Sequence, residues 1–124
     1  MPKILLIEDD FFLSFLLKNR LEREKINVII AKNGEEALNL LESTNPDLIL
    51  LDLILPKKSG FEVMEEIKSN PRIISKKTPI VIISNLGQPE DISRCEELGA
   101  VDYIVKAKTS IDELIGKIKS FLVQ

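Results

Sequence analysis

Acidic and polar residues stand where apolar runs end in this chain. Ile4-Leu-Leu-Ile7 meets Glu8, Asp9 and Asp10, and the run from Asp47 through Leu51 meets Asp52. Ser84 follows Ile80-Val-Ile-Ile83, and Lys106 follows Tyr103-Ile-Val105. Carboxylates that converge repel one another unless a cation joins them, and hard oxygen donors suit magnesium better than zinc or copper. Asp9 and Asp52 are the candidate ligands. A carboxylate nucleophile, a divalent cation, a lysine and a hydroxyl are the parts that phosphoryl transfer requires: in-line attack, charge neutralisation and support of the equatorial oxygens. Each feature also has a plainer reading. The acids at 8–10 would cap a following helix, Lys106 would snorkel to solvent, and Ser84 would satisfy nearby backbone groups. Asp52 is harder to dismiss, because a carboxylate between Leu48-Ile-Leu-Leu51 and Leu53-Ile-Leu-Pro56 is poorly explained as a solvated loop charge. The conjunction of the four positions favours the chemical reading over the separate plain ones.

Composition narrows the chemistry further. The 124 residues include no histidine, which removes Ser-His-Asp and Cys-His catalysis, histidine metal sites and a self-supplied phosphohistidine. Cys95 is the lone cysteine, so no intrachain disulfide forms; it reads as a small buried hydrophobe in a reducing, cytoplasmic setting. Lys+Arg 17 against Asp+Glu 20 gives a formal charge of -3, which offers no general attraction to polyanions, so direct nucleic-acid binding is not expected. No apolar run approaches the ~20 residues of a membrane span.

The elements that must position these groups alternate. Strands are predicted at 4–7, 28–31, 47–51, 80–83 and 101–105. Between them, helices are predicted from Phe11 to Glu24 and from the Asn33 cap through Leu41. Two more run from Phe61 to Ile67 and from the Gly87/Pro89 punctuation to Leu98, with Gly99 as the terminating glycine. Ser110-Ile-Asp-Glu113 is a capping box that opens the last helix. Strict alternation implies right-handed crossovers and a parallel sheet between two helix layers, an α/β fold in one domain. In such sheets ligands bind beyond the carboxyl ends of the strands, where Glu8-Asp9-Asp10, Asp52, Ser84 and Lys106 all fall.

On these residues the whole chain resembles the receiver domain of two-component response regulators. The resemblance rests on Glu8-Asp9, on Asp52-Leu-Ile-Leu-Pro56 with Gly60, on Ser84 and on Lys106, in the family's order. It implies a five-stranded sheet of order 2-1-3-4-5 flanked by five helices, of flavodoxin-like type. It implies that Asp52 accepts a phosphoryl group from a phosphohistidine of a sensor histidine kinase or a histidine phosphotransfer protein. Asp9, Asp52 and the backbone carbonyl of Ile54 would hold Mg2+, with Glu8 acting through water. Lys106 and Ser84 would each contact a phosphoryl oxygen. Tyr103 resembles the switch aromatic, whose ring moves inward when the hydroxyl turns toward phosphate and so alters the face of the fourth helix, fifth strand and fifth helix. A core tyrosine with an amphipathic ring remains an equal reading at that position.

Two positions depart from the family pattern. Asn85 stands where a small Ala or Gly is usual, and Ala107 replaces the proline that commonly follows the lysine. A cis bond before a non-proline residue costs ~3 kcal/mol, so this loop is expected to be trans with altered lysine placement. Apolar Ile54 and Leu86 near the mouth are expected to shield an acyl phosphate and slow its hydrolysis. Phe11 and Phe15, four apart and off the Leu13-Leu17-Leu21 stripe, are candidate anchors for a kinase or phosphotransfer partner, or else part of a wide buried face. A phosphorylation-independent pseudo-receiver is the competing function on the same fold. A dehalogenase-type phosphatase needs an acid two residues after its nucleophile, where Ile54 stands. No output module is expected after the last helix.

Overall fold

A computed structural model describes residues 1–122 of the chain. Its strands are β1 (Lys3–Ile7), β2 (Asn27–Ala31), β3 (Leu48–Leu51), β4 (Ile80–Ser84) and β5 (Asp102–Val105). They form one sheet of order β2-β1-β3-β4-β5 in which every pairing is parallel. The central strands are apolar apart from Lys3 and Ser84 at their ends, because both of their faces are covered. Alternation divides them between two cores. Leu5, Ile7, Ile49, Leu51, Ile80 and Ile82 face one layer, while Ile4, Leu6, Leu48, Leu50, Val81 and Ile83 face the other.

The second layer is made by α1 (Phe11–Glu22) and α6 (Ile111–Leu122), which bury Leu17, Leu21, Leu114, Ile115 and Ile118. The first is made by α2 (Gly34–Ser43), α3 (Gly60–Ser69), α4 (Pro71–Ile74) and α5 (Pro89–Glu97), which contribute Leu41, Met64, Ile67, Ile73 and the buried Cys95. Among the described residues there are thus six helices against the five expected. The extra one, α4, is a single turn started by Asn70, whose Oδ1 accepts from Arg72 N at 3.0 Å, and by Pro71 at its first position. Proline is preorganised for that position, and burial of Ile73 holds the turn on the core.

Caps set most other boundaries. Asp10 Oδ1 accepts from Leu13 N at 3.1 Å to open α1, and Asn33 Oδ1 accepts from Glu36 N at 2.9 Å to open α2. The Ser110 and Glu113 pair closes in both directions at 3.1 Å, as the sequence predicts for α6. A second box, Ser59 with Glu62, opens α3 one residue earlier than the periodicity indicates. Helix α1 stops at Glu22 rather than Glu24, because Lys25 takes a left-handed conformation (φ 64°) to turn the chain into β2. Gly99 (φ 104°) ends the α5 segment where a terminating glycine is expected. No helix among the described residues is long and apolar enough to cross a membrane.

Candidate functional site

The parallel ladders continue one residue past β1 and β3 and so fix both acidic positions. Glu8 N donates to Ala31 O at 2.9 Å, and Asp52 N donates to Ile7 O at 3.0 Å. Glu8 and Asp52 are therefore buried at the carboxyl edge of the sheet, whereas Asp9, one residue on, is exposed. One carboxylate oxygen from each of Glu8, Asp9 and Asp52 lies within 4.8 Å of the others. Lys106 enters from the end of β5. Its Nζ donates to Asp52 Oδ2 at 2.9 Å and lies 2.6 Å from Glu8 Oε1. Glu8 Oε2 accepts from Asp10 N at 3.1 Å, but Oε1 finds no hydrogen bond of acceptable angle among the described residues. The lysine thus meets Oε1 as a close ion pair.

Three carboxylates against one ammonium leave two negative charges uncompensated at a largely buried edge. Burial pushes the Glu8 carboxyl above its ordinary value of 4.5, Asp52 adds to the rise, and Lys106 only partly offsets it. Burial would by itself lower the Lys106 ammonium, yet its bonds to Glu8 and Asp52 outweigh that and hold it above 10.5. Both directions follow from two buried acids sharing one cation. Three carboxylates around one ammonium and an all-oxygen donor set fit a divalent metal ion, and the cluster could hold one.

Ser84 is fully buried at the end of β4. Its Oγ accepts from Leu86 N at 3.3 Å, while Tyr103 Oη donates to the carbonyl of the same Leu86. The two switch candidates are therefore joined through the main chain of one residue, a link that composition and periodicity do not reveal. Tyr103 is half-buried, and burial pushes its phenol up to about 12, so it is a neutral donor at physiological pH.

The loop after Asp52 is shaped by a glycine. Gly60 N donates to Leu53 O at 2.8 Å. A Cβ on Gly60 would lie 2.4 Å from Asp52 O and 2.7 Å from Leu53 Cα, so α3 starts directly against the acidic strand end. Ile54 N donates to Asp52 Oδ1 at a long 3.4 Å, and the Ile54 side chain is exposed. Leu86 is half-buried. Around the lysine no described peptide bond is cis, in line with the trans loop expected at Ala107. The two departures meet: Ala107 N donates to Asn85 Oδ1 at 2.9 Å.

Phe11 and Phe15 project from α1 with 71% and 54% exposure and stack at 5.9 Å between ring centroids. The wide buried face, the other reading of these two rings, is absent. Phe12, which the sequence reading did not single out, is 77% exposed beside them.

The family model for the response regulator receiver domain matches residues 4–119. The chain belongs to that family. Among curated proteins it is 39% identical over 122 residues to the transcriptional regulatory protein CpxR of Escherichia coli, covering 98% of this chain and 50% of that protein. It is 35% identical to the phosphate regulon transcriptional regulatory protein PhoB of Rhizobium meliloti, covering 98% and 52%. The chain thus spans about half the length of these relatives. Among solved structures, the non-phosphorylated HemR receiver domain of Leptospira biflexa superposes with a TM-score of 0.88 at 34% identity, covering 100% of this chain and 96% of that one. The Mn(2+)-bound form of the response regulator Rcp1 superposes with a TM-score of 0.86 at 32% identity, with the same coverage. The fold is that of CheY-like receivers, and such domains are signalling modules rather than metabolic enzymes.

Proposed function

We propose that Asp52 is the phosphoacceptor of a two-component signalling pathway and that residues 1–124 act as one receiver domain. The observation that carries this reading is the placement of the Asp52 carboxylate. It is buried at the end of β3, bonded to Lys106, with oxygens of Glu8 and Asp9 within 4.8 Å. An Asp52 oxygen attacks the phosphorus of a phosphohistidine on a sensor histidine kinase or histidine phosphotransfer protein. A P–O bond forms, the P–N bond breaks, and the imidazole leaves with its electron pair. Lys106 turns its ammonium to one phosphoryl oxygen and the Ser84 hydroxyl donates to another. Asp9, Asp52 and the Ile54 carbonyl would hold Mg2+, which supplies neutralisation of the charge on the transferring group, with Glu8 contributing through water.

When the Ser84 hydroxyl turns to the phosphoryl group it gives up its bond from Leu86 N. The Leu86 loop then shifts, and Tyr103, bonded to the Leu86 carbonyl, moves with it. The change reaches the face made by α5, β5 and α6, which is the surface read by a downstream protein. CpxR and PhoB are transcriptional regulators by name. For this chain we read the output as a protein contact, since a charge of -3 gives no pull toward a polyanion. The exposed Phe11 and Phe15 pair is the anchor for the phosphodonor protein, and the setting is cytoplasmic.

The test is phosphate incorporation from acetyl phosphate with Mg2+, followed by intact mass, in wild type and Asp52→Asn. Wild type is expected to gain one phosphoryl group that slowly hydrolyses, and the variant none. A folded wild type that labels with neither acetyl phosphate nor a phosphohistidine donor would make the chain a phosphorylation-independent interaction module instead.

A further inference from the structure

The loops that carry Ser84 and Lys106 are tied beyond the end of the sheet. Ser84 and Val105 are the last register partners of the β4 and β5 ladder, so Asn85 and Lys106 are the first residues past it. The chain then closes a 3-10 turn over Lys106–Lys108. Thr109 holds the far end of that turn, its N donating to Lys106 O at 3.3 Å and its Oγ1 to Val105 O at 3.0 Å. The residue that precedes the turn, Val105, gives it no side-chain cap. The acceptor comes from the neighbouring strand end, as Asn85 Oδ1 takes the Ala107 N–H at 2.9 Å. A proline at 107 would have no N–H to give, and a small apolar residue at 85 no oxygen to take it. Each of these two residues accounts for the other.

We propose that Asn85 is a positioning residue that sets the placement of Lys106 relative to Ser84 by holding the peptide after the lysine. Lys106 must keep its ammonium between Glu8 Oε1 and Asp52 Oδ2 at 2.6 and 2.9 Å, at the end of a flexible four-carbon stem. The two acids hold the far end of that stem, and the backbone at 106–107 sets where it starts. Asn85 acts on the phosphoryl site through Ala107 and not by contact with the transferred group. The inference rests on the phosphoacceptor reading of Asp52.

The full chain is compared as wild type, Asn85→Ala, Ala107→Pro and the double variant. Two measurements are made: hydrogen exchange of the Ala107 amide in the unlabelled protein, where residue 107 keeps its N–H, and labelling by acetyl phosphate with Mg2+. Asn85→Ala is expected to speed exchange at Ala107 and to slow labelling about fivefold, the size of one modest hydrogen bond. The loss should appear in the maximal rate, with the half-saturating acetyl phosphate concentration changed less than about twofold, because the lysine is needed most as charge develops in transfer. The double variant is expected to be no slower than either single one, since all three lack the same bond. Labelling of Asn85→Ala at the wild-type rate, unchanged exchange at Ala107, or losses that multiply in the double variant would each overturn the inference while leaving Asp52 as acceptor. A wild type that never labels overturns the acceptor reading and, with it, this role.

Discussion

Two buried acids share one lysine at the sheet edge, and the burden falls on Glu8, whose carboxyl is raised by burial. A carboxyl raised in the fold binds its proton more tightly than the unfolded chain does. The stability this contributes is fully present below the ordinary value of 4.5 and is lost as pH rises through the window above it. Glu8→Gln removes the penalty and leaves Lys106 paired with Asp52. The variant is therefore expected to match wild type near pH 4 and to be more stable than wild type at pH 7 in metal-free buffer. Urea unfolding at the two pH values checks this. A Glu8→Gln protein less stable at pH 7 would show that the Lys106 contact outweighs the cost of burying the charge. Lys106 is linked in the same sense but at the alkaline end: its contribution is complete below its ordinary value of 10.5 and disappears only as pH climbs above it.

At the scale of elements, α1 exposes aromatic rings along its first turns. Its inner face buries Leu17 and Leu21, as a surface helix must, yet Phe11, Phe12 and Phe15 remain outside. Burial does not explain them, because the rings touch water on a helix already anchored by its leucines. Replacing Phe11 and Phe15 together by alanine is expected to change folding stability by less than about 0.5 kcal/mol, since exposed sites contribute little. Phosphotransfer from the cognate kinase is expected to fall about tenfold or more, as loss of aromatic anchors does at a protein interface. Urea unfolding and the rate of transfer from the phosphorylated kinase separate the two effects. Transfer at the wild-type rate would remove α1 as the docking surface.

Across the whole molecule the site is assembled from strand ends far apart in sequence, with acids from β1 and β3 and the lysine from β5. The unfolded chain has no such cluster, so a divalent ion held there binds the folded state alone and stabilises it by mass action. At about ten times its dissociation constant, Mg2+ is expected to add about 1.4 kcal/mol, raising the Tm by roughly 5 °C for a domain of this size. Asp9→Asn should abolish most of that rise. A wild-type melting temperature indifferent to Mg2+ would argue that Lys106 satisfies the acids by itself.

The sequence by itself determined the layers, the strand ends and the identity of the candidate groups. The reason is that these depend on local periodicity, on caps such as Asp10 and Ser110, and on where an apolar run meets a polar residue. Strand order and the role of Asp52 came only through resemblance, since alternation of strands and helices leaves several orders open. Tertiary structure alone decided the rest. The α4 turn forms because Ile73 finds a place in the core. Glu8 meets Lys106 because β1 and β5 end on the same edge of the sheet, although two other strands stand between them and β1 also pairs with β2. Ser84 and Tyr103 are joined through Leu86, and Asn85 reaches an N–H 22 residues away. Such contacts join residues far apart in sequence at strand ends, and they exist only once the strands are assembled side by side in one sheet.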